Sequence, residues 1–175
     1  MQSEESSYPN QKYSFSFLGG EDNIHSFQTK NGFVYEVLFR PTPYLFGNDS
    51  IYAPSVYEFI IRVARNNSAK KIPPFDPLVA PTIAEIFTDF YENAPRTIVI
   101  YICESSDNRQ LIRQVKFNRW FEYFDKDDFT KIDDSIRDLD GTIYPVSLIV
   151  KYNNPYKKAI FWAFLEMIEG YNYNK

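Results

Sequence analysis

The chain predicts an α+β fold on a mixed, mostly antiparallel sheet. Segments in the first third alternate apolar and polar side chains with a period of two, the mark of half-buried strands. A later run, Thr97 to Cys103, is continuously apolar and largely β-branched, as expected of a strand covered on both faces. Three stretches in the second half carry apolar residues at helical spacing. The predicted order is β-β-β-β-α-β-α-β-α.

Tyr13, Phe15 and Phe17 alternate with serines and form the first strand, ended by Gly19-Gly20. Residues 24–29 and 33–39 read as antiparallel partners, because Asn31-Gly32 between them is a two-residue hairpin signal. Pro41, Pro43, Gly47 and Pro54 make 40–54 a long loop. Val56 to Ala64 alternates again, with apolar side chains on both faces, and is placed centrally. Val-Tyr-Glu occurs at both 34–36 and 56–58, but nothing around it repeats.

The first helix carries Val79, Ile83, Ile86, Phe87, Phe90 and Tyr91 as one stripe. Two starts compete: Asp76-Pro77 as cap and first residue, or Thr82-x-x-Glu85 as a capping box. A second helix begins near Asp107. Its stripe slips near Lys116, with Leu111, Ile112 and Val115 on one side and Phe117, Trp120, Phe121 and Phe124 on another. That pattern predicts a break or burial on two sides. Residues 125–141 read as an acidic loop. Val146 to Val150 forms a last strand. A final helix runs from Asn154-Pro155 to about Glu169 and is apolar almost all round.

With 175 residues the chain suits one domain, 12–175, behind a flexible polar tail at 1–11. Aromatic residues make up 18%, so much of the burial falls to Phe and Tyr. A net charge of −4 argues against a nucleic-acid binder, which needs a basic surplus. Without an 18-residue apolar run no membrane span is expected. One cysteine, Cys103, excludes an internal disulfide and a Cys-rich zinc site, and suggests a reducing, cytoplasmic location.

Few constellations suggest chemistry. Cys103 and the single histidine, His25, would make a nucleophile–base pair only if the fold brought them together. The acidic stretch fails as a calcium loop: with Gly141 in register, Ile136 takes the first ligand position and no twelfth-position glutamate follows. No metal site is expected. Arg109, Arg113 and Lys116 recur at i, i+4, i+7 and form a candidate anion-binding edge, or an ordinary solvent face. Glu58, inside a strand, is a weak candidate base. The last helix needs cover on nearly all sides. Phe161, Trp162 and Leu165 are its candidate interface residues, and self-association as a homodimer is one way to cover them.

The helix from Thr82, the strand Thr97 to Cys103 and the helix Asn108 to Phe121 resemble the second half of the GNAT N-acetyltransferase fold. The likeness spans roughly residues 55–150 and lies in order and spacing. The stretch 101–107 (Tyr-Ile-Cys-Glu-Ser-Ser-Asp), with Arg109, Arg113 and Phe117-Asn118-Arg119-Trp120-Phe121, is also similar to a family of small bacterial proteins of unknown function. The GNAT resemblance implies acetyl-CoA as cofactor, its pyrophosphate held by backbone N–H groups where the first helix starts. Here that stretch, 73–81, has no glycine, four prolines, and Asp76. Phe117 stands where the resemblance implies a tyrosine acid.

The expectation is therefore a non-catalytic GNAT-like domain without cofactor, acting through protein–protein contacts or self-association. Two alternatives stand beside it. One is an atypical acyl-CoA-dependent acyltransferase using Glu58 and the Arg109/Arg113/Lys116 edge. The other is a small accessory or regulatory interaction protein unrelated to GNAT.

Overall fold

The computed structural model describes residues 11–103, 108–125 and 127–173. Seven strands form one sheet in the order β1-β2-β3-β4-β5-β7-β6. They are β1 (Phe15–Gly19), β2 (Ile24–Gln28), β3 (Phe33–Pro41), β4 (Val56–Asn66), β5 (Ile98–Ile102), β6 (Phe129–Arg137) and β7 (Ile143–Lys151). The helices are α1 (Val79–Asn93), α2 (Gln110–Phe124) and α3 (Lys157–Tyr173). All pairings are antiparallel except β4 with β5. The α+β class with a mostly antiparallel sheet is thus the one the sequence predicts. The tail at 1–11 lies, except for Gln11, outside the described residues.

Alternation along each strand sends side chains to two separate cores. Phe27, Val37, Phe39, Phe59, Val99 and Ile149 point to the face that α1 and α2 cover. Val56, Ile98, Ile100, Val146, Leu148 and Val150 point to the face of α3. β5 and β7 are apolar on both sides because both faces are covered there. Over β3 and β4 the α3-side face instead carries paired charges. Arg62 Nη2 binds Glu36 at 2.6 Å, and Arg40 lies 3.7 Å from Glu58.

The β2–β3 turn is wider than Asn31-Gly32 alone implies. Gly32 N–H and Phe33 carbonyl both pair with Thr29, and Gly32 takes a φ of 83°. A Cβ on Gly32 would stand 3.2 Å from the Asn67 backbone, so the position requires glycine.

The acidic segment corrects the predicted order, which becomes β-β-β-β-α-β-α-β-β-α. Residues 129–137 are β6, an edge strand paired along its length with β7. Ile132 and Ile136 face α3, while Asp133 bonds sideways to Ser147. The turn is Asp140-Gly141, with Gly141 at φ 85°.

α2 does not break at Lys116. It buries its second side and turns Leu111, Ile112 and Val115 to solvent. α3 is not covered all round either. Ile160, Phe164 and Ile168 form its buried stripe, Phe161 and Leu165 are half-buried beside it, and Trp162 is 69% exposed. Among the described residues no helix is long and apolar enough to cross a membrane.

Candidate functional site

β4 and β5 part company early. Their pairing covers Val56↔Ile98, Tyr57↔Val99 and Glu58↔Ile100. Beyond that, β4 runs on with β3, and β5 with β7. The fork lies at the carboxyl ends of the two parallel strands, where open α/β sheets place ligands. Here it is filled on the α2 side. Phe117 stacks on Tyr101 of β5 at 4.1 Å and approaches Phe59 of β4 at 6.2 Å.

The start of α1 is likewise engaged. Asp76 Oδ1 accepts the Leu78 N–H at 3.0 Å, and Asp76 Oδ2 accepts the Tyr13 hydroxyl at 2.6 Å. Thr82 is not a capping box residue. It is buried, donates to the Leu78 carbonyl and accepts the Tyr13 N–H at 2.8 Å. Glu85, the other half of that motif, pairs with Lys12. Asp76 holds the Leu78 N–H just ahead of the helix, but the helix begins at Val79 with Leu78 at the cap position and no side chain capping it, so neither predicted start is observed.

A polar cluster lies under α2, between β5, β6 and β7. Ser147 donates to Asp133 at 2.6 Å, and the nearly buried Lys131 ammonium pairs with the same carboxylate. Cys103 and Tyr101 share a hydrogen bond close to Arg113. Burial pushes the Cys103 thiol up, against the Tyr101 hydrogen bond and the Arg113 charge. Burial also pushes the Tyr101 hydroxyl well above the usual tyrosine range. Neither group is poised to ionise near neutral pH. Sequence alone did not reveal this cluster, since three separate strands and one helix supply it.

His25 does not meet Cys103. Three strand spacings separate β2 from β5, about 14 Å across the sheet. His25 is buried among Phe15, Phe17 and Phe39, and its Nδ1 lies 3.1 Å from the Asn23 carbonyl.

Glu58 and the basic edge of α2 are on opposite sides of the sheet. Glu58 follows Val56 onto the α3 face, beside Arg40, whereas α2 covers the Phe59 face. Burial raises the Glu58 carboxyl, Arg40 offsets part of this, and Asp22 adds to it. The basic edge is itself divided. Arg113 is turned toward Tyr101 and Cys103, and Lys116 lies over the Trp120 ring at 4.7 Å. Desolvation pushes the Lys116 ammonium down. Arg119 remains on the exposed side.

Among the described residues two surfaces are candidates for a ligand or partner, with further apolar side chains such as Ile72, Phe75 and Trp162 exposed elsewhere. One is a cavity of about 60 Å³ between α1, α2 and the sheet. Rings of Phe59, Phe87, Phe117, Trp120, Phe121, Phe124 and Phe129 line most of it. The other is the outward side of α2, where Leu111, Ile112 and Val115 are 58%, 66% and 58% exposed.

A forked seven-stranded sheet with aromatic helices on one face and α3 on the other defines the architecture. Residues 75–166, more than half of the 175-residue chain, match a family of unknown function, DUF6169, and the chain belongs to that family. The matched span runs from Phe75 through α1, β5, α2, β6 and β7 into α3. No curated protein and no solved structure matches the chain.

Proposed function

We propose that this chain is a non-catalytic domain of GNAT-like layout that binds another protein through the outward side of α2. The observation that carries the reading is the aliphatic stripe Leu111, Ile112 and Val115, left in solvent by a helix that turns its aromatic side to the sheet. An amphipathic helix normally turns its apolar stripe inward. Here two apolar sides compete, the aromatic one takes the core, and the aliphatic one is free to meet a partner.

Charge indicates the partner's chemistry. From Arg109 to Phe124 the segment holds four cations (Arg109, Arg113, Lys116, Arg119) and one carboxylate, Glu122, in a chain of net charge −4. Arg109 and Arg119 are on the exposed side, whereas Arg113 is turned toward Tyr101 and Cys103 and Lys116 lies over Trp120. The complement is an acidic amphipathic segment of another protein, held by apolar contact and steered by charge. A second copy is less suited. A symmetric contact would set cations against cations. A contact of α2 with the acidic and aromatic outer side of α3 (Trp162, Glu166, Glu169) joins opposite faces of the sheet, so it is head-to-tail and forms a ring or filament instead of a symmetric dimer.

The filled fork, the start of α1 engaged by Asp76 and Tyr13, and the raised Cys103 and Tyr101 groups support the non-catalytic part. The test uses two labelled amphipathic peptides with identical leucine positions, one with glutamate and one with lysine at its polar positions. Anisotropy titration is expected to show binding of the acidic peptide alone. Light scattering over rising protein concentration is expected to show a monomer. Equal binding of both peptides, binding of neither, or assembly of the chain with itself refutes the proposal.

The fork favours one second reading, an atypical acyl-CoA-dependent acyltransferase. Its cofactor, acetyl-CoA, would enter beside Phe117 and meet the Asp76 carboxylate. Calorimetric titration of acetyl-CoA decides the matter: micromolar binding establishes this reading, and no binding at millimolar ligand removes it.

A further inference from the structure

The aromatic cavity is separate from the exposed α2 stripe and shares Phe59 and Phe117 with the filled fork. Its walls come from five elements: Phe59 of β4, Phe87 and Thr88 of α1, Trp120 and Phe121 of α2, Phe129 of β6 and Ile149 of β7. Except for Phe59, these residues fall within the matched family span. A packed interior leaves few voids larger than a water molecule. This one, of about 60 Å³, exceeds the space one water needs and opens partly to solvent, so a chain of a few carbons can enter it.

Among the described residues that line it, Thr88 and the Trp120 indole N–H are polar and Asp125 is the one charged group. Asp125 Oδ1 accepts the Phe129 N–H at 3.2 Å, which holds the carboxylate at the end of α2. An ionised carboxylate accepts about four hydrogen bonds and donates none. Its complement is therefore a donor, and a cationic donor gains most in an apolar setting.

The rings suit the same charge. Aromatic faces attract cations through their quadrupoles. Three of them already do so within the chain: Lys116 lies over Trp120, Lys131 over Phe121 and Lys151 over Phe129, at 4.7, 5.8 and 4.9 Å from the centroids. None of these lysines lines the cavity, and Lys131 is paired with Asp133. We infer that the cavity binds a small alkylammonium ion, its chain among the rings and its ammonium at Asp125.

The probes are n-butylammonium, n-butanol and butyrate, which share a chain and differ in the head group. Binding would be followed by ligand-observed NMR on the full chain. The ammonium is expected to bind about tenfold more tightly than the alcohol, the effect of one charge-assisted hydrogen bond. Butyrate should be weakest, because it meets a like charge.

Asp125→Asn keeps an acceptor for Phe129 and should abolish the preference for ammonium over alcohol. Ala84→Leu should fill the cavity and abolish binding of all three probes. Thermal unfolding of both variants confirms that they fold. Equal binding of ammonium and alcohol overturns the inference, as does tighter binding of butyrate or binding of no probe. Binding unchanged in Ala84→Leu overturns the placement, and an ammonium preference that survives in Asp125→Asn overturns the role of the carboxylate.

Discussion

The tie between Tyr13 and Asp76 makes a quantitative test of how the start of α1 is held. Tyr13 precedes β1 and reaches across to α1. Its hydroxyl donates to Asp76 at 2.6 Å and accepts the Lys30 N–H at 3.1 Å. Its ring stacks on Phe27 at 6.0 Å. Asp76 meanwhile accepts the Leu78 N–H just ahead of α1. A half-buried hydrogen bond to a charged acceptor is worth about 1.5–3 kcal/mol, and the more exposed turn bond about 1 kcal/mol. Asp76→Ala removes both and should cost about 2.5–4 kcal/mol. Tyr13→Phe keeps the stacking and removes only the hydroxyl, so it should cost about 1.5–3 kcal/mol.

A double-mutant cycle isolates the shared bond. The coupling between the two sites should be about 1–2 kcal/mol, read from urea midpoints at constant m-value. Asp76→Asn retains an acceptor and should fall between wild type and alanine. Additive losses, with coupling indistinguishable from zero, would refute the claim that this hydrogen bond ties the first strand to α1.

Other perturbations bear on different parts of the fold. Burial lowers the His25 pKa, with the Asn23 carbonyl and Asp89 opposing it, so the folded state binds this proton less readily than the unfolded chain. Its contribution is complete above the unfolded value of about 6.5 and is lost as pH falls below it. Chemical denaturation from pH 7.5 to 5 should show falling stability, and His25→Gln should flatten the slope. A slope unchanged by the substitution would assign it elsewhere. Tyr91, fully buried, donates to the Ile149 carbonyl at 2.7 Å, and Tyr91→Phe should lower stability by about 1–2 kcal/mol. A thermal midpoint equal to wild type would contradict that.

Much of the fold was legible because its strands alternate cleanly. β2, β3, β4 and β5 fall where periodicity places them. β6 was hidden by Asp133-Asp134, which breaks an apolar pattern held by only Ile132 and Ile136. The hairpin signal Asp140-Gly141 was present, but the surrounding acids drew attention to calcium chemistry instead. In α2 the sequence shows two apolar sides but not which one meets the sheet. The structure gives the sheet to the larger, aromatic side. In α3 composition overstates burial: Trp162 sits among core residues in sequence and outside them in space. The aromatic cavity was visible only as a surplus of rings at 117–124. Its partners Phe59, Phe87 and Phe129 come from distant parts of the chain. The polar cluster of Tyr101, Cys103, Asp133 and Ser147 depends on the β5-β7-β6 order, which no local pattern encodes.

On the proposed reading, Leu111, Ile112 and Val115 stand exposed to meet a partner. Fully burying such a side chain contributes about 1.5–3 kcal/mol, and roughly 60% of each remains available here. Together the three offer about 3–5 kcal/mol, or on the order of a hundredfold or more in affinity. The most direct measurement titrates the acidic amphipathic peptide against wild type and against the triple variant Leu111→Gln, Ile112→Gln, Val115→Gln. The account predicts at least a hundredfold loss of affinity with the fold retained by circular dichroism. Unchanged affinity in a folded variant would contradict it.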